Sequence, residues 1–158
     1  MTDKDLRIGD VVMTNGQTYG TKRGELYIVT KIDSEVYVLR KDGKYLKVGV
    51  NITNIKRLDD RYSGGAWVDY LIPVPLTKEL LLKLGFVERE NKHLDSVKDY
   101  KFETDKGTIE IFSYSKYWSL YVKSIDFNYD TSMDLHYMHE LQHVIWDNLH
   151  IELNIGKL

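Results

Sequence analysis

Cysteine is absent from the 158-residue chain, and proline occurs only twice, at Pro73 and Pro75. Without a thiol there is no disulfide framework, no cysteine nucleophile and no cysteine-rich zinc site. No apolar run approaches the roughly 18 residues that a membrane-spanning helix needs. The opening Met1-Thr2-Asp3-Lys4-Asp5 is charged and no apolar stretch follows it, so no secretory signal is expected and a cytoplasmic location fits. Also missing are a G-x-S-x-G elbow, a Walker loop, a dinucleotide fingerprint, internal repeats and low-complexity runs. Serine-elbow hydrolases, P-loop nucleotidases and nicotinamide enzymes of the common kinds drop out.

What is present describes a globular chain, 42% hydrophobic and 29% charged, of a length that suits one ordinary domain or two small ones. Charge is unevenly spread. Residues 1–58 hold 11 Lys/Arg against 7 Asp/Glu, net +4, and residues 59–158 hold 11 against 17, net −6. The basic excess is thin and scattered, which suits a solvated surface better than the dense stripe of a polynucleotide binder.

Patterning divides the chain in two. Residues 1–58 predict short strands at Arg7–Met13, Glu25–Ile32, Glu35–Lys41, Tyr45–Val50 and Ile52–Leu58, with Asn15-Gly16 and Asp42-Gly43 as tight turns. Five short strands in so few residues suggest a small SH3-like β-barrel. Residues 59–71 are polar and carry Gly64-Gly65, so a linker or loop is expected there; a phosphate cradle is disfavoured because no strand-then-capped-helix context surrounds the pair. Residues 72–158 predict an α+β module. Thr77 caps a first helix that ends at Gly85, with Leu80, Leu81 and Leu84 as its buried stripe. Strands follow at Tyr100–Thr104, Thr108–Tyr114 and Tyr117–Lys123. A second helix is expected from Ser132 to Leu149, capped by Thr131 with Asp134 completing a capping box, then a last strand at Ile151–Ile155. The expected architecture is an antiparallel sheet with two helices on one face.

Two features carry chemistry. His139-Glu140-Leu141-Gln142-His143 spells H-E-x-x-H, in which two imidazoles one turn apart can hold zinc and the glutamate can serve as base. On a helical wheel Leu141 centres the apolar face, and His136, His139, His143 and His150 share an arc of about 60° opposite it. Against a zinc hydrolase stand the absence of a downstream third ligand at a recognisable spacing and Trp146 where one extended zinc motif requires glycine. A third ligand would have to come from elsewhere in the chain, for example His93, Asp95 or a sheet carboxylate. No metal or other cofactor is therefore expected, with zinc on His139 and His143 and Glu140 as base kept as the alternative.

The second feature is the aromatic run from Phe112 to Tyr121. Alternation puts Phe112 and Tyr114 on one strand face and Tyr117 and Tyr121 on the next, a ring-lined surface if the hairpin register aligns them. Ordinary cross-strand pairing explains these rings too. Stacking on a nucleotide or a single-stranded nucleic acid is a further alternative.

Leu6-Arg7-Ile8-Gly9-Asp10, Ile72-Pro73-Val74-Pro75-Leu76-Thr77-Lys78-Glu79, Leu84-Gly85-Phe86, Tyr137-Met138-His139-Glu140-Leu141-Gln142 and Ile151-Glu152-Leu153 together resemble a family of small, largely uncharacterised proteins. These are encoded by phages, prophages and mobile elements of Bacteroidetes-type bacteria. In that family the helix pattern carries Gln or Glu at the position of Glu140 and often Asn at that of His143. The resemblance thus implies that the second zinc ligand is particular to this chain and that the base position tolerates an amide. It draws attention instead to His139 and Gln142, and it brings no activity with it.

The sequence is best read as a non-enzymatic accessory protein of phage or mobile-element origin that binds a host or phage protein partner. Anti-defence proteins are the analogy. The candidate surface comprises Phe112, Tyr114, Tyr117, Tyr121, His136, His139 and Gln142. No membrane association is expected.

Overall fold

The computed structural model describes residues 5–39, 41–59, 61, 63–90, 97–115, 117–124 and 133–158. The chain forms two compact units, Met1–Val74 and Pro75–Leu158. Each contains one five-stranded antiparallel sheet, and the whole is mostly β with few helices.

In the first unit the strands are β1 (Val11–Thr14), β2 (Leu26–Leu39), β3 (Tyr45–Arg57), β4 (Ser63–Trp67) and β5 (Leu71–Pro73), in the sheet order β4-β3-β2-β1-β5. β2 and β3 are each one long strand where the sequence predicted two. Register shifts between Val29 and Lys31 and between Val36 and Tyr37 accommodate extra residues without ending the pairing. Asp42-Gly43 turns between β2 and β3 as predicted, with Gly43 at φ +78° and the Asp42 carboxylate accepting the Lys44 amide at 3.1 Å. Asn15-Gly16 does not close a hairpin. Its asparagine accepts the Gln17 amide at 2.9 Å and starts the longer connection to β2. β1 begins later than predicted because Asp10 folds back on the Arg7 amide at 2.7 Å and Gly9 sits at φ +97°.

The segment predicted as a linker at 59–71 holds β4, a 3₁₀ turn at Val68–Tyr70 and the start of β5. Glycine content hid the strand. The buried residues Ala66, Val68 and Leu71 join Leu6, Val12, Tyr27, Val29 and Ile55 in one core. The boundary between units accordingly falls after Val74, and among the described residues β4 and β5 are open edges of a sheet that does not close.

In the second unit, strands β6 (Val87–Glu90), β7 (Lys98–Thr104), β8 (Gly107–Ser113), β9 (Trp118–Ser124) and β10 (Met133–Leu135) lie in the order β10-β9-β8-β7-β6. Helix α1 (Lys78–Lys83) starts at Thr77, whose hydroxyl accepts the Leu80 amide at 3.2 Å, and gives way to Gly85 at φ +98°. Helix α2 spans Met138–Leu149. The register aligns Phe102 with Ile109 and Val122, and Tyr100 with Ile111 and Leu120, on one sheet face. Phe86, just past α1, meets Phe102 at 5.1 Å between ring centroids, and Leu149 of α2 lies over Gly107. Both helices therefore cover this one face, and Leu80, Leu81, Met138, Leu141, Ile145 and Leu149 fill it.

Two expectations are corrected here. α2 begins six residues later than predicted, because Met133–Leu135 pairs with β9 as a strand; Thr131 lies outside the described residues. Ile151–Ile155 is not a strand but irregular chain leading to a 3₁₀ turn at Ile155–Lys157, with Leu153 buried. No helix among the described residues is long and apolar enough to cross a membrane.

Candidate functional site

Sheet alternation decides what the far face of the second unit carries. With Tyr100 and Phe102 turned toward the helices, Asp99, Lys101 and Glu103 point the other way. Across the sheet Asp99 stands opposite Phe112, which stands opposite Ser119, and Lys101 opposite Glu110, which stands opposite Tyr121. Phe112 and Tyr121 thus share the sheet face opposite the helices in neighbouring rows, half-buried. The ladder continues past β8, where the Tyr114 amide donates to the Tyr117 carbonyl at 2.9 Å. The rings of Tyr114 and Tyr117 stack there at 4.8 Å with planes 19° apart, 37% and 39% exposed. All four aromatic residues singled out in the sequence lie along one hairpin, with the Tyr114 and Tyr117 rings in contact.

Sequence reasoning missed Asp99 in this surface. Its Oδ1 is buried without a hydrogen-bond partner, and desolvation raises its pKa, an effect that nearby Arg89 and Lys101 oppose without cancelling. The alternating charges of Asp99, Lys101 and Glu103 read as an ordinary wet strand face and gave no signal of that burial. A raised carboxyl pKa means the folded state favours the proton, so the contribution to stability is present at acid pH and lost as pH rises through the carboxylate range. Asp99→Asn should therefore stabilise the protein at pH 7, and the gain should fade as pH falls toward the ordinary aspartate value. Urea titrations of both proteins across pH 3–7 check this; a variant less stable at pH 7 would mean that the carboxylate serves as an anionic contact instead.

The α2 residues arrange themselves differently from the helical wheel. His139, expected on the side opposite the core, is only 7% exposed, whereas His136 and His150 are exposed and His143 is half-buried. A wheel locates a side chain around the axis but does not report what else packs beside the first turn. Here Leu76 donates its amide to the His136 carbonyl at 2.9 Å, and Pro75 bridges to Tyr137. The rings run on from there, Tyr137 stacked with His139 at 5.8 Å and His139 edge-on to His143 at 5.7 Å. Gln142 is half-buried on the same helix.

Glu140 has a structural role. Its carboxylate accepts the backbone amides of His136 at 2.7 Å and Tyr137 at 3.0 Å, closing the start of α2. Both amide protons converge on one carboxylate oxygen, Oε2. Among the described residues no group of three or more His, Asp or Glu side chains is gathered to hold a metal. His93 and Asp95, the possible third ligands, lie outside them. Glu140→Ala should cost about 1 kcal/mol through the lost cap, and Glu140→Gln, which keeps an acceptor oxygen, clearly less. Thermal melts of both variants check the ranking; equal losses would mean that the carboxylate charge, not the acceptor, matters.

Comparison with known proteins gives no matching family model, no matching curated protein and no matching solved structure.

Proposed function

We propose that this is a non-enzymatic binding protein of phage or mobile-element origin, acting in the bacterial cytoplasm by engaging a host or phage protein. The observation that carries this reading is the exposed, stacked Tyr114–Tyr117 pair on the same sheet face as Phe112 and Tyr121, opposite the helices. Stacked rings at a hairpin end lose little conformational entropy on binding and offer both apolar area and hydroxyls, which is why tyrosine concentrates at protein contacts. The capping role of Glu140 favours binding over hydrolysis at the same time. Strand order β4-β3-β2-β1-β5 with a 3₁₀ turn ahead of the last strand supports reading the first unit as an SH3-like module. Such a module is a platform and assigns no activity.

The test compares partners captured by the wild-type protein and by a Tyr114→Ala/Tyr117→Ala double variant from lysate of an infected bacterial host, followed by titration of the purified partner. Loss of two interfacial tyrosines should weaken binding at least tenfold while the circular dichroism spectrum stays unchanged. A partner bound equally by both proteins removes the aromatic surface from the reading. Retention on single-stranded DNA that salt abolishes, with no protein captured, replaces the protein partner by a nucleic acid.

A further inference from the structure

Among the described residues the two sheets have four edges, and these are unequal. β5 is three residues long and ends in Pro73. β6 carries Glu88, Arg89 and Glu90. β10 is three residues long with Asp134 in the middle. Proline, charge and shortness are the devices that keep a strand edge from pairing with another chain. β4 has none of them. Its sequence is Ser-Gly-Gly-Ala-Trp, uncharged and without proline, and among the described residues it pairs with β3 alone.

Hydrogen bonds elsewhere in the sheet fix which backbone groups of β4 face outward. Val29 donates to the Asp10 carbonyl and accepts from the Gly9 amide, so its N–H and C=O point toward the β1 side. Those of Ile28 then point to β3 and meet Lys56, its register partner. Ile55 next to it must point the other way, to β4, where its partner is Gly64; Thr53 likewise meets Ala66. Gly64 and Ala66 thus supply the β3–β4 bonds. The N–H and C=O groups of Ser63 and Gly65 and the N–H of Trp67 face the open edge, while the Trp67 C=O caps the start of the 3₁₀ turn.

We infer that β4 is a self-pairing edge that joins two copies of this chain, antiparallel, about a two-fold axis through Gly65. In that register Ser63 of each copy stands opposite Trp67 of the other and Gly65 opposite Gly65. Gly65 thereby exchanges both N–H···O bonds with Gly65 of the other copy, and the Trp67 N–H of each copy meets the Ser63 carbonyl of the other. No like charges meet, since β4 has no charged residue, and at the axis no side chains collide, since glycine has none. A second copy fits this edge for reasons that hold apart from the aromatic surface, which lies in the other unit.

The chain has no cysteine, so single introduced cysteines report the register. Directly opposed residues of a hydrogen-bonded pair have Cα atoms about 5.5 Å apart, within the disulfide range. Gly65→Cys should convert at least half of the protein to a covalent dimer under mild oxidation. Ser63→Cys, whose opposite number is Trp67, should crosslink at least fivefold less. Sedimentation of the wild-type protein should show a dimer that forms with rising concentration. In Gly65→Pro, which removes an outward donor and no β3–β4 bond, its dissociation constant should rise at least tenfold. Gly65→Thr, which keeps that donor, should retain the dimer. A wild-type protein that stays monomeric to millimolar concentration, or equal crosslinking at positions 63 and 65, overturns the inference. If Gly65→Pro fails to fold, slower amide exchange at Gly65 and Trp67 with rising wild-type concentration decides in its place; exchange independent of concentration counts against the pairing.

Discussion

Gly107→Ala is expected to destabilise the second unit by about 3 kcal/mol, although it adds a single methyl group. Gly107 opens β8 directly after the Thr104–Lys106 turn, where the Thr104 hydroxyl donates to its carbonyl at 3.0 Å and accepts its amide at 3.1 Å. The residue is thus held from both sides. A Cβ built there overlaps the carbonyl oxygen of Lys123 and stands 3.0 Å from both the Ser124 Cα and a terminal methyl of Leu149. Two of these three atoms are backbone of the neighbouring strand. They cannot turn aside as a flexible side chain would, and moving them breaks the β8–β9 ladder from the Gly107–Ser124 end. The third belongs to the last turn of α2, so the same methyl pushes the helix off the sheet. Gly9 is the control: its φ is +97°, but a Cβ there meets nothing within 4 Å. Gly9→Ala should cost only about 1 kcal/mol, from backbone conformation alone. Urea unfolding of the two variants beside the wild type separates the effects. A loss below 1 kcal/mol for Gly107→Ala would mean that α2 and β9 do not approach this position so closely.

How much of this was legible in advance depends on which force shaped each segment. α1 could be read closely because its signals are local: Thr77 caps, leucines recur at helical spacing, and Gly85 takes the left-handed position. The three hairpin-linked strands of the second unit could be read for the same reason, since alternation and turn residues sit within a few positions of one another. β4 could not. A strand containing Gly64-Gly65 has almost no intrinsic preference for extended backbone, and it exists because β3 lies beside it and Ala66 enters the core. The start of α2 was misplaced by a related failure. Thr131 and Asp134 make a credible capping box in isolation, but Met133–Leu135 gains more by pairing with β9, and Glu140 then caps the shorter helix. In the candidate site the aromatic residues were found by pattern, and their meeting depended only on a hairpin register that the short turn enforces. The burial of His139 and Asp99 was not readable, because it depends on what covers them.

Leu141→Ala should remove about 3 kcal/mol from the second unit, whereas Leu82→Ala should remove no more than about 0.5 kcal/mol. Both are leucines inside short helices, but the sequence pattern already centres the apolar face of α2 on Leu141 and leaves Leu82 off the buried stripe of α1. Leu141 is fully buried and lies at the centre of the α2 face that meets the sheet, together with Met138, Ile145 and Leu149. Truncation there forfeits the transfer energy of the deleted carbons and leaves a cavity that an α-helix pinned at both ends cannot close, at the Glu140 cap and at the left-handed His150. Leu82 is 42% exposed, so little is lost when it shrinks. The pair also separates fold from function. Leu141 packs on the helix-covered side of the sheet and the tyrosine pair belongs to the opposite side, so Leu141→Ala should leave partner affinity unchanged wherever the protein remains folded. Tyr114→Ala/Tyr117→Ala should do the reverse, weakening binding while the urea midpoint moves little. Affinity that falls in step with stability across both sets of variants would instead place the binding determinant in the integrity of the whole unit and not in its aromatic face.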